Sequence, residues 1–315
     1  MRVATVGNRS GLVPKCKEYN SAPCGQSNGF CRPTLRPGQS GIDNRFMSDN
    51  GWGRRVERAE ELAGQYAFAA EILRFYAHVA RFQQNLRERL ERASAGQPDG
   101  LNGPLTGPPQ LPELIASFQP FLSLVENSGP VRLAETARQL RARPENSWAQ
   151  LLNAFWDGTE VSDSSAAAEV FFARAFLQPY AELVRSRSGM KWDGHTHSLC
   201  PFCNRRPGLG VLRQQGDSGR RSLVCSFCLA EWEFRRIVCA GCGEEDHRKL
   251  PVYTAAELEH VRVECCDSCK LYMKTVDLTK NGLADPVVDE LAAVPLDLWA
   301  QERGYAKVQS NLMQL

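Results

Sequence analysis

Hydrophobic residues recur at three- and four-residue steps through much of the first 190 positions, which is typical of amphipathic helices. Between residues 55 and 93, Arg and Glu fill the positions between Leu62, Ile72, Val79 and Leu86. Gly64 is a candidate break in this helical segment, because glycine weakens a helix. The same periodicity predicts helices over about 111–127, 130–142, 147–157 and 163–187. An all-helical domain is therefore expected.

Proline, glycine and serine residues indicate where the predicted helices begin, end or kink. Residues 94–110 contain Pro and Gly without apolar periodicity, so they are predicted to form a linker loop. Ser147 is a candidate N-cap, because its hydroxyl can accept a bond from a free backbone N–H. Pro179 is expected to kink or end the last helix.

The helical period disappears between Gly189 and about Lys280, where short β-branched runs lie between turn residues. Such runs predict short strands. They are GVLR, RSLVC, RRIVC, PVYT and HVRVECC. Residues 286–301 return to a helical pattern that contains Pro295, so we expect one final helix with a kink.

The predicted fold is multidomain and mainly α at its N-terminus, followed by two tandem rubredoxin-like or zinc-ribbon β modules and a C-terminal helix. Residues 1–52 are rich in Gly, Pro, Ser and Asn, so a poorly ordered leader is expected there, and Met47 offers an alternative start. The predicted domains are a leader at 1–52, a helical domain at 53–188, metal modules at 189–236 and 237–282, and a C-terminal helix and tail at 283–315.

Composition narrows the classes of function. Hydrophobic residues make up 43% of the 315 positions and charged residues 23%, as in ordinary globular proteins. A net charge of +2 is too small to favour nucleic acid or an anionic membrane as the partner. The first residues lack the apolar segment of a signal peptide, so a cytoplasmic location is expected.

The 12 cysteines carry the strongest chemical signal, because eight of them form four Cys-x-x-Cys pairs. Disulfides are rare in a reducing compartment, where clustered cysteines more often bind metal or do redox work. Each short turn lets two thiolates converge on one ion, and two turns complete a tetrahedral site of four sulfurs. The predicted metal ligands are Cys200, Cys203, Cys225, Cys228, Cys239, Cys242, Cys266 and Cys269.

The spacing favours a tandem arrangement of these pairs. There are 21 residues between Cys203 and Cys225 and 23 between Cys242 and Cys266, so the first pair is expected to join the second and the third to join the fourth. An interleaved arrangement, or a site made by the second and third pairs across 229–238, is the alternative. Four thiolates suit both iron and zinc, so the metal stays open between them.

The remaining cysteines and the histidines are not expected to bind metal. Cys16, Cys24 and Cys31 match no metal motif, and Cys265 should point away from a site that Cys266 faces. His195, His197, His247 and His260 are expected at the surface, because four thiolates already complete each site. No Ser/His/Asp set, phosphate-binding glycine loop or useful carboxylate pair is apparent in the sequence, so no catalysis is expected.

At these motifs the chain resembles the FdhE family of formate dehydrogenase accessory proteins. The resemblance lies in CPFCNRRPGLGVLR, in LVCSFCLAEWEFRRIVCAGCG, in VECCDSCKLYMKTVD and in the closing segment VVDELAAVPLDLWAQERGYAKVQSNLM. The helical segments RRVERAEELA and ILRFYAHVARFQQNL are also similar to that family, so the resemblance covers about residues 54–315.

The resemblance implies a cytoplasmic accessory protein that is needed for active formate dehydrogenase and binds its catalytic subunit. It also links the eight paired cysteines to iron binding, in modules of rubredoxin type. The predicted cofactors therefore remain two metal ions, iron or zinc. Two other functions fit the cysteine array: a rubredoxin-like electron-transfer or redox-sensing protein, and a zinc-ribbon protein that binds nucleic acid. The near-neutral charge disfavours the second of these.

Overall fold

The structure, a computed structural model, describes residues 17–18, 51–93, 112–158, 166–215 and 218–314. Most of the predicted leader, with Cys16, Cys24 and Cys31, and the predicted linker at 94–110 lie outside the described residues. Lys17–Glu18 forms a short strand, β1.

Six helices make up the described part of the N-terminal region, as the three- and four-residue periodicity predicts. They are α1 (Gly51–Gln65), α2 (Ala70–Ala93), α3 (Pro112–Ser128), α4 (Val131–Arg141), α5 (Glu145–Asp157) and α6 (Ala166–Arg187). The predicted break near Gly64 corresponds to the end of α1 at Gln65. Helix α5 begins two residues before the predicted cap Ser147, with Pro144 at its N-cap. Pro179 lies inside α6 and does not end it.

Phenylalanine side chains form the centre of the helical core. Phe118 on α3 packs edge-to-face against Phe176 on α6 at 4.8 Å between ring centroids, and both are fully buried. Phe171 and Phe172 on α6 are buried as well, although they are neighbours in the chain. A helix that is buried on nearly all sides contacts more than one neighbour. Helix α6 is such a helix, and it also contacts the β-rich C-terminal region described below.

The C-terminal region contains one continuous sheet. Its strands are β2 (Pro207–Gln215), β3 (Ser218–Cys225), β4 (Glu231–Glu233), β5 (Val252–Thr254), β6 (Val261–Cys265), β7 (Leu271–Asp277) and β8 (Ala306–Lys307). The order across the described sheet is β1-β5-β6-β7-β2-β3-β4, and β8 pairs with β7. Strands β2-β3-β4 form one antiparallel unit and β5-β6-β7 form another. These are the two tandem modules that the sequence predicts.

The modules join where β2 and β7 run parallel, with Gly210 opposite Thr275. A Cβ atom at Gly210 would lie 2.4 Å from Thr275 Oγ1, which is closer than two such atoms can approach. The glycine therefore permits the close contact that merges the two modules into one sheet. The predicted domain boundaries, including the one between residues 236 and 237, stay predictions.

The strand predictions were wrong at two places. RRIVC (235–239) forms turns instead of a strand, and the strand lies earlier, at Glu231–Glu233. Strand β7 was not predicted because six of its seven residues are buried, so it shows no alternation and contains the polar Lys274 and Thr275.

The final helical segment also differs from the prediction of one kinked helix. It consists of α7 (Pro286–Ala292) and α8 (Val294–Glu302), with Pro295 in the first turn of α8. Proline is tolerated there because the first N–H groups of a helix have no partner within it. The side chain of Asp285 caps α7 by accepting hydrogen bonds from the Val287 and Val288 amides.

Candidate metal centres

All four Cys-x-x-Cys pairs lie in turns that share one backbone feature. The residue after the second cysteine has a positive φ in every turn: Asn204 57°, Leu229 55°, Gly243 80° and Lys270 57°. The amide of the first cysteine donates to the carbonyl five residues ahead, for example Cys200 to Arg205 and Cys266 to Leu271, both at 2.9 Å. This geometry turns both thiols of a pair towards one point.

The first cluster contains the sulfurs of Cys200, Cys203, Cys225 and Cys228. The Sγ–Sγ distance is 3.3 Å between Cys203 and Cys225, and 3.5 Å between Cys200 and Cys228. These four cysteines come from the first and second pairs, as the tandem arrangement predicts.

The second cluster contains the sulfurs of Cys239, Cys242, Cys266 and Cys269. The Sγ–Sγ distance is 3.7 Å both between Cys239 and Cys269 and between Cys242 and Cys266. The third and fourth pairs therefore meet in the second module, and the alternative arrangements are not observed.

Both clusters have the geometry that a thiophilic metal ion requires. Four sulfurs arranged tetrahedrally at about 2.3 Å from an ion lie about 3.8 Å from one another. The four Sγ–Sγ distances given above, 3.3–3.7 Å, are close to that value, and all the sulfurs of each cluster lie within 4.8 Å of one another. They far exceed the disulfide length of about 2.05 Å. The described cysteines form no disulfide.

Backbone amides support negative charge on the sulfurs. The Phe202 and Phe227 amides donate to Cys200 and Cys225 Sγ at 3.4 and 3.3 Å, and the Gly241 amide donates to Cys239 Sγ at 3.3 Å. Such bonds stabilise a thiolate and orient it towards a bound ion. The residues present therefore fit one ion per cluster, while their role as ligands stays a prediction.

The thiol pKa values in the first cluster show why a cation suits it. Burial raises the pKa of Cys228 well above its usual value, and hydrogen bonds with the other three thiols raise it further. Burial also opposes ionisation of Cys225, but hydrogen bonds from the other thiols outweigh it and hold its pKa well below the usual value. One thiolate is thus favoured at the expense of its neighbours. A positive ion would allow all four to ionise.

Side chains of helix α6 donate hydrogen bonds to the backbone of the second Cys-x-x-Cys turn, which carries Cys225 and Cys228. Arg174 donates to the Ser226 carbonyl at 2.8 and 3.2 Å, Gln178 to the Phe227 carbonyl at 3.2 Å, and Arg185 to the Cys228 carbonyl at 3.0 Å. These three side chains are buried. Burial lowers the pKa of Arg174 to about 10, an effect that the nearby Cys225 opposes. The helical domain therefore fixes three consecutive residues of this turn.

Aromatic residues within the first two turns insert into the helical domain. Phe202 and Phe227 are buried in the same core as the helical phenylalanines. Phe227 packs edge-to-face on Phe155 of α5 at 5.2 Å. The Arg205 guanidinium lies 4.2 Å from the Phe155 ring centre and 4.9 Å from that of Phe227. In the second cluster the equivalent positions hold Gly241 and Ser268, which have no comparable side chain.

The second cluster lies at the surface. Cys242 is exposed and Cys269 is half-buried there, while Cys239 and Cys266 are buried. Its turns are linked by polar contacts within their own module: Ser268 Oγ donates to Glu244 Oε2 at 2.5 Å, and the Asp267 amide to the Lys249 carbonyl at 2.8 Å. Tyr305, beyond α8, donates to Asp267 at 2.7 Å.

The other predicted residues occupy varied places. Cys265 is buried on β6 and belongs to neither cluster. His195 and His197 line a cavity of about 570 Å³ in front of the first turn. His260 is not the simple surface residue expected, because its Nε2 lies 2.8 Å from Asp289 Oδ1. Arg58 of α1 donates two bonds to the same carboxylate, which joins the helical domain to α7.

Sequence reasoning missed the α6 side chains that hold the first cluster. Arg174, Gln178 and Arg185 stand in a helix whose other positions are largely apolar, and that departure was the available signal. None of the helices that the structure describes is long and apolar enough to cross a membrane.

The fold and the site define the class: a protein in which two tandem four-cysteine modules of metal-binding type are attached to a helical domain. The family models describe the same region: the FdhE central domain matches residues 199–236 and the FdhE C-terminal domain matches residues 237–314. The chain belongs to the FdhE family, since it is 30% identical over 283 residues to the FdhE homolog of Pseudomonas aeruginosa. That similarity covers 83% of this chain and 89% of the relative.

Other comparisons agree with this membership. The FdhE homolog of Aquifex aeolicus is 27% identical over 268 residues, which cover 82% of this chain and 93% of the relative. The crystal structure of the FdhE protein from Pseudomonas aeruginosa is similar with a TM-score of 0.61 at 27% identity, covering 85% of this chain and 96% of that chain. The predicted family and fold class are thus confirmed.

Proposed function

We propose that this protein is an accessory protein for the maturation of formate dehydrogenase and binds the catalytic subunit of that enzyme in the cytoplasm. The proposal gives it no catalysis of its own. Membership of the FdhE family supports this role through the family name. The observation that carries the proposal is the pair of four-cysteine clusters, because one of them is built into the face where the helical domain meets the β modules.

The metal ions, iron or zinc, would hold this platform in shape. When bound, each ion would cross-link two turns that are far apart in sequence, and binding energy of this kind is folding energy. The proposed ligands are the eight paired cysteines. In the first cluster, the hydrogen bonds from Arg174 and Gln178 would then hold α6 in a fixed position relative to the second turn.

The proposed docking face includes the segment that connects α6 to the first turn. Trp192 in this segment donates to the Glu231 carbonyl at 2.9 Å, which fixes the segment against β4. The adjacent cavity is lined by residues 195, 197 and 198–204. Leu199 is 37% exposed beside it and offers an apolar contact. A partner that binds there would contact the metal module and the connecting segment together.

The test is co-purification of the catalytic subunit of formate dehydrogenase with the full chain. Cys225→Ala combined with Cys228→Ala is expected to lose metal and partner together, because the first platform loses its cross-link. Cys265→Ala is the matched control, since Cys265 is a buried cysteine outside both clusters. Full capture of the subunit by the double variant would contradict the link between metal and docking.

An electron-transfer role is the second candidate, because the exposed Cys242 brings one cluster to the surface. This role requires iron, since zinc has no redox chemistry. Anaerobically purified protein that absorbs visible light and bleaches on reduction would favour electron transfer. Colourless protein that holds two zinc ions would exclude it.

A further inference from the structure

The two clusters differ in how far their sulfur ligands are exposed. In the first, Cys200, Cys225 and Cys228 are at most 3% exposed, and Cys203 is half-buried. In the second, Cys242 is exposed and Cys269 is half-buried, while Cys239 is 9% and Cys266 1% exposed. The reactivity of a cysteine depends on its access to solvent. A reagent in solution therefore reaches the second cluster more readily.

The clusters also differ in what holds their turns. Displacing the turn that carries Cys225 and Cys228 would break the buried hydrogen bonds that Arg174, Gln178 and Arg185 donate to its carbonyl groups. It would also withdraw Phe227 from the helical core. The turns of the second cluster are linked by Ser268, Glu244 and other polar side chains near the surface. These are bonds that water can replace at little cost.

We propose that the second cluster is an exchangeable metal centre, while the first retains its ion for as long as the domain stays folded. The ion that exchanges is a thiophilic divalent cation held by Cys239, Cys242, Cys266 and Cys269. This inference rests on the proposed role of the eight cysteines as metal ligands. The first module, beside α6, would then keep its ion and its shape. The surface of the second module would change with the concentration of available metal.

Exchange would begin at Cys242, the exposed cysteine of this cluster. A donor atom of an incoming chelator forms a bond to the ion as the bond from Cys242 Sγ breaks, and the released thiolate takes up a proton from water. The other three sulfurs follow in turn, so that no electrons are gained or lost. In the first cluster the equivalent residue, Cys203, is half-buried, but α6 is bonded to Ser226 and Cys228 in the turn that carries its two partners.

The test uses the full chain loaded with zinc and an excess of a coloured chelator. The chain should start with two zinc ions, and fewer than two would count against the ligand assignment itself. With two bound, one ion is expected to transfer at least about tenfold faster than the other, because access controls thiol reactivity. Equal rates would overturn the division between the clusters.

Timed alkylation with iodoacetamide, followed by peptide mass spectrometry, identifies which cluster opens. Label is expected first on the second cluster and much later on the first. Earlier label on Cys200, Cys225 and Cys228 would overturn the proposal. Cys242→Ser should remove the fast phase and keep the slow one, and the matched variant Cys203→Ser should keep the fast one. Should Cys203→Ser fail to fold, alkylation of the unmodified chain still decides the order.

Discussion

The two modules have the same sequence of turns and strands, yet their surroundings make them different. The first is attached to α6 by buried arginines and by phenylalanines that enter the helical core. The second has Gly241 and Ser268 at the equivalent positions and leaves Cys242 exposed. An identical set of four cysteines can therefore lie within the core in one module and reach the surface in the other.

The largest expected effect comes from removing ligands from one cluster at a time. Cys225→Ser with Cys228→Ser should destabilise the helical domain as well as the first module, because a structural ion contributes on the order of 10 kcal/mol to folding. Cys239→Ser with Cys242→Ser should unfold the second module only. Thermal unfolding followed by circular dichroism, with metal content measured in parallel, compares the two. Equal loss of helical stability in both variants would contradict the contrast.

Phe227→Ala should weaken the anchor of the first module. Truncating a buried phenylalanine typically costs about 3–5 kcal/mol, and Phe227 is 1% exposed. We expect a loss of this size in chemical denaturation, together with faster release of metal from the first cluster. Phe68→Ala, at a side chain that is 49% exposed, is the matched control and should change stability little. Unchanged metal release from Phe227→Ala would show that the aromatic anchor does not protect the cluster.

Arg174→Ala should weaken the attachment of the first cluster to the helical domain and so reduce the difference between the two clusters. Arg174 donates to the Ser226 carbonyl through Nε and Nη2, and to the carbonyls of Ser310 and Asn311 through Nη1 at 2.8 and 2.9 Å. Hydrogen bonds from a charged group are worth about 1.5–3 kcal/mol each, but bonds that share one guanidinium are not additive, so a total loss of about 3 kcal/mol is expected.

The control for Arg174→Ala is Arg143→Ala, which removes a more exposed ion pair with Glu169. Such pairs contribute about 1 kcal/mol or less. Equilibrium denaturation of both variants measures the difference. Equal losses would mean that the buried bonds to the second turn contribute no more than a surface ion pair.

Gly210→Ala should disturb the junction between the modules by a smaller amount. The new methyl group would lie 2.4 Å from Thr275 Oγ1, and overpacking of this kind costs about 1–3 kcal/mol. Thr275→Ala in the same chain should recover part of the loss, because it removes the clashing hydroxyl. Gly64→Ala, where an added Cβ meets nothing within 4 Å, is the control. An absence of coupling in the double-mutant cycle would count against the close contact between β2 and β7.

The sequence predicted the features that depend on local pattern. Apolar periodicity located the helices, and the spacing of the pairs gave the tandem arrangement of the cysteines. Strand β7 escaped prediction because its surroundings are set by tertiary contacts: Lys274 is fully buried there and forms ion pairs with Glu290 and Asp297. A lysine of this kind has no distinguishing mark in the sequence.

The difference between the clusters was present in the sequence but was not recognised. CPFC and CSFC carry a phenylalanine before the second cysteine, whereas CAGC and CDSC carry glycine and serine. The significance of that residue depends on whether a hydrophobic core lies next to the turn, and only the fold supplies this information. The positions of Arg174 and Arg185 opposite the second turn likewise depend on how α6 packs.

The central claim is that eight cysteine sulfurs hold two metal ions, one in each module. X-ray absorption spectroscopy of the purified full chain, combined with elemental analysis, tests it most directly. The expected result is two ions per chain, each bound by four sulfurs at about 2.3 Å, the usual length of a zinc–thiolate bond. A chain that binds no metal and whose paired cysteines are oxidised to disulfides, or whose ions are bound mainly by nitrogen and oxygen, would contradict the account.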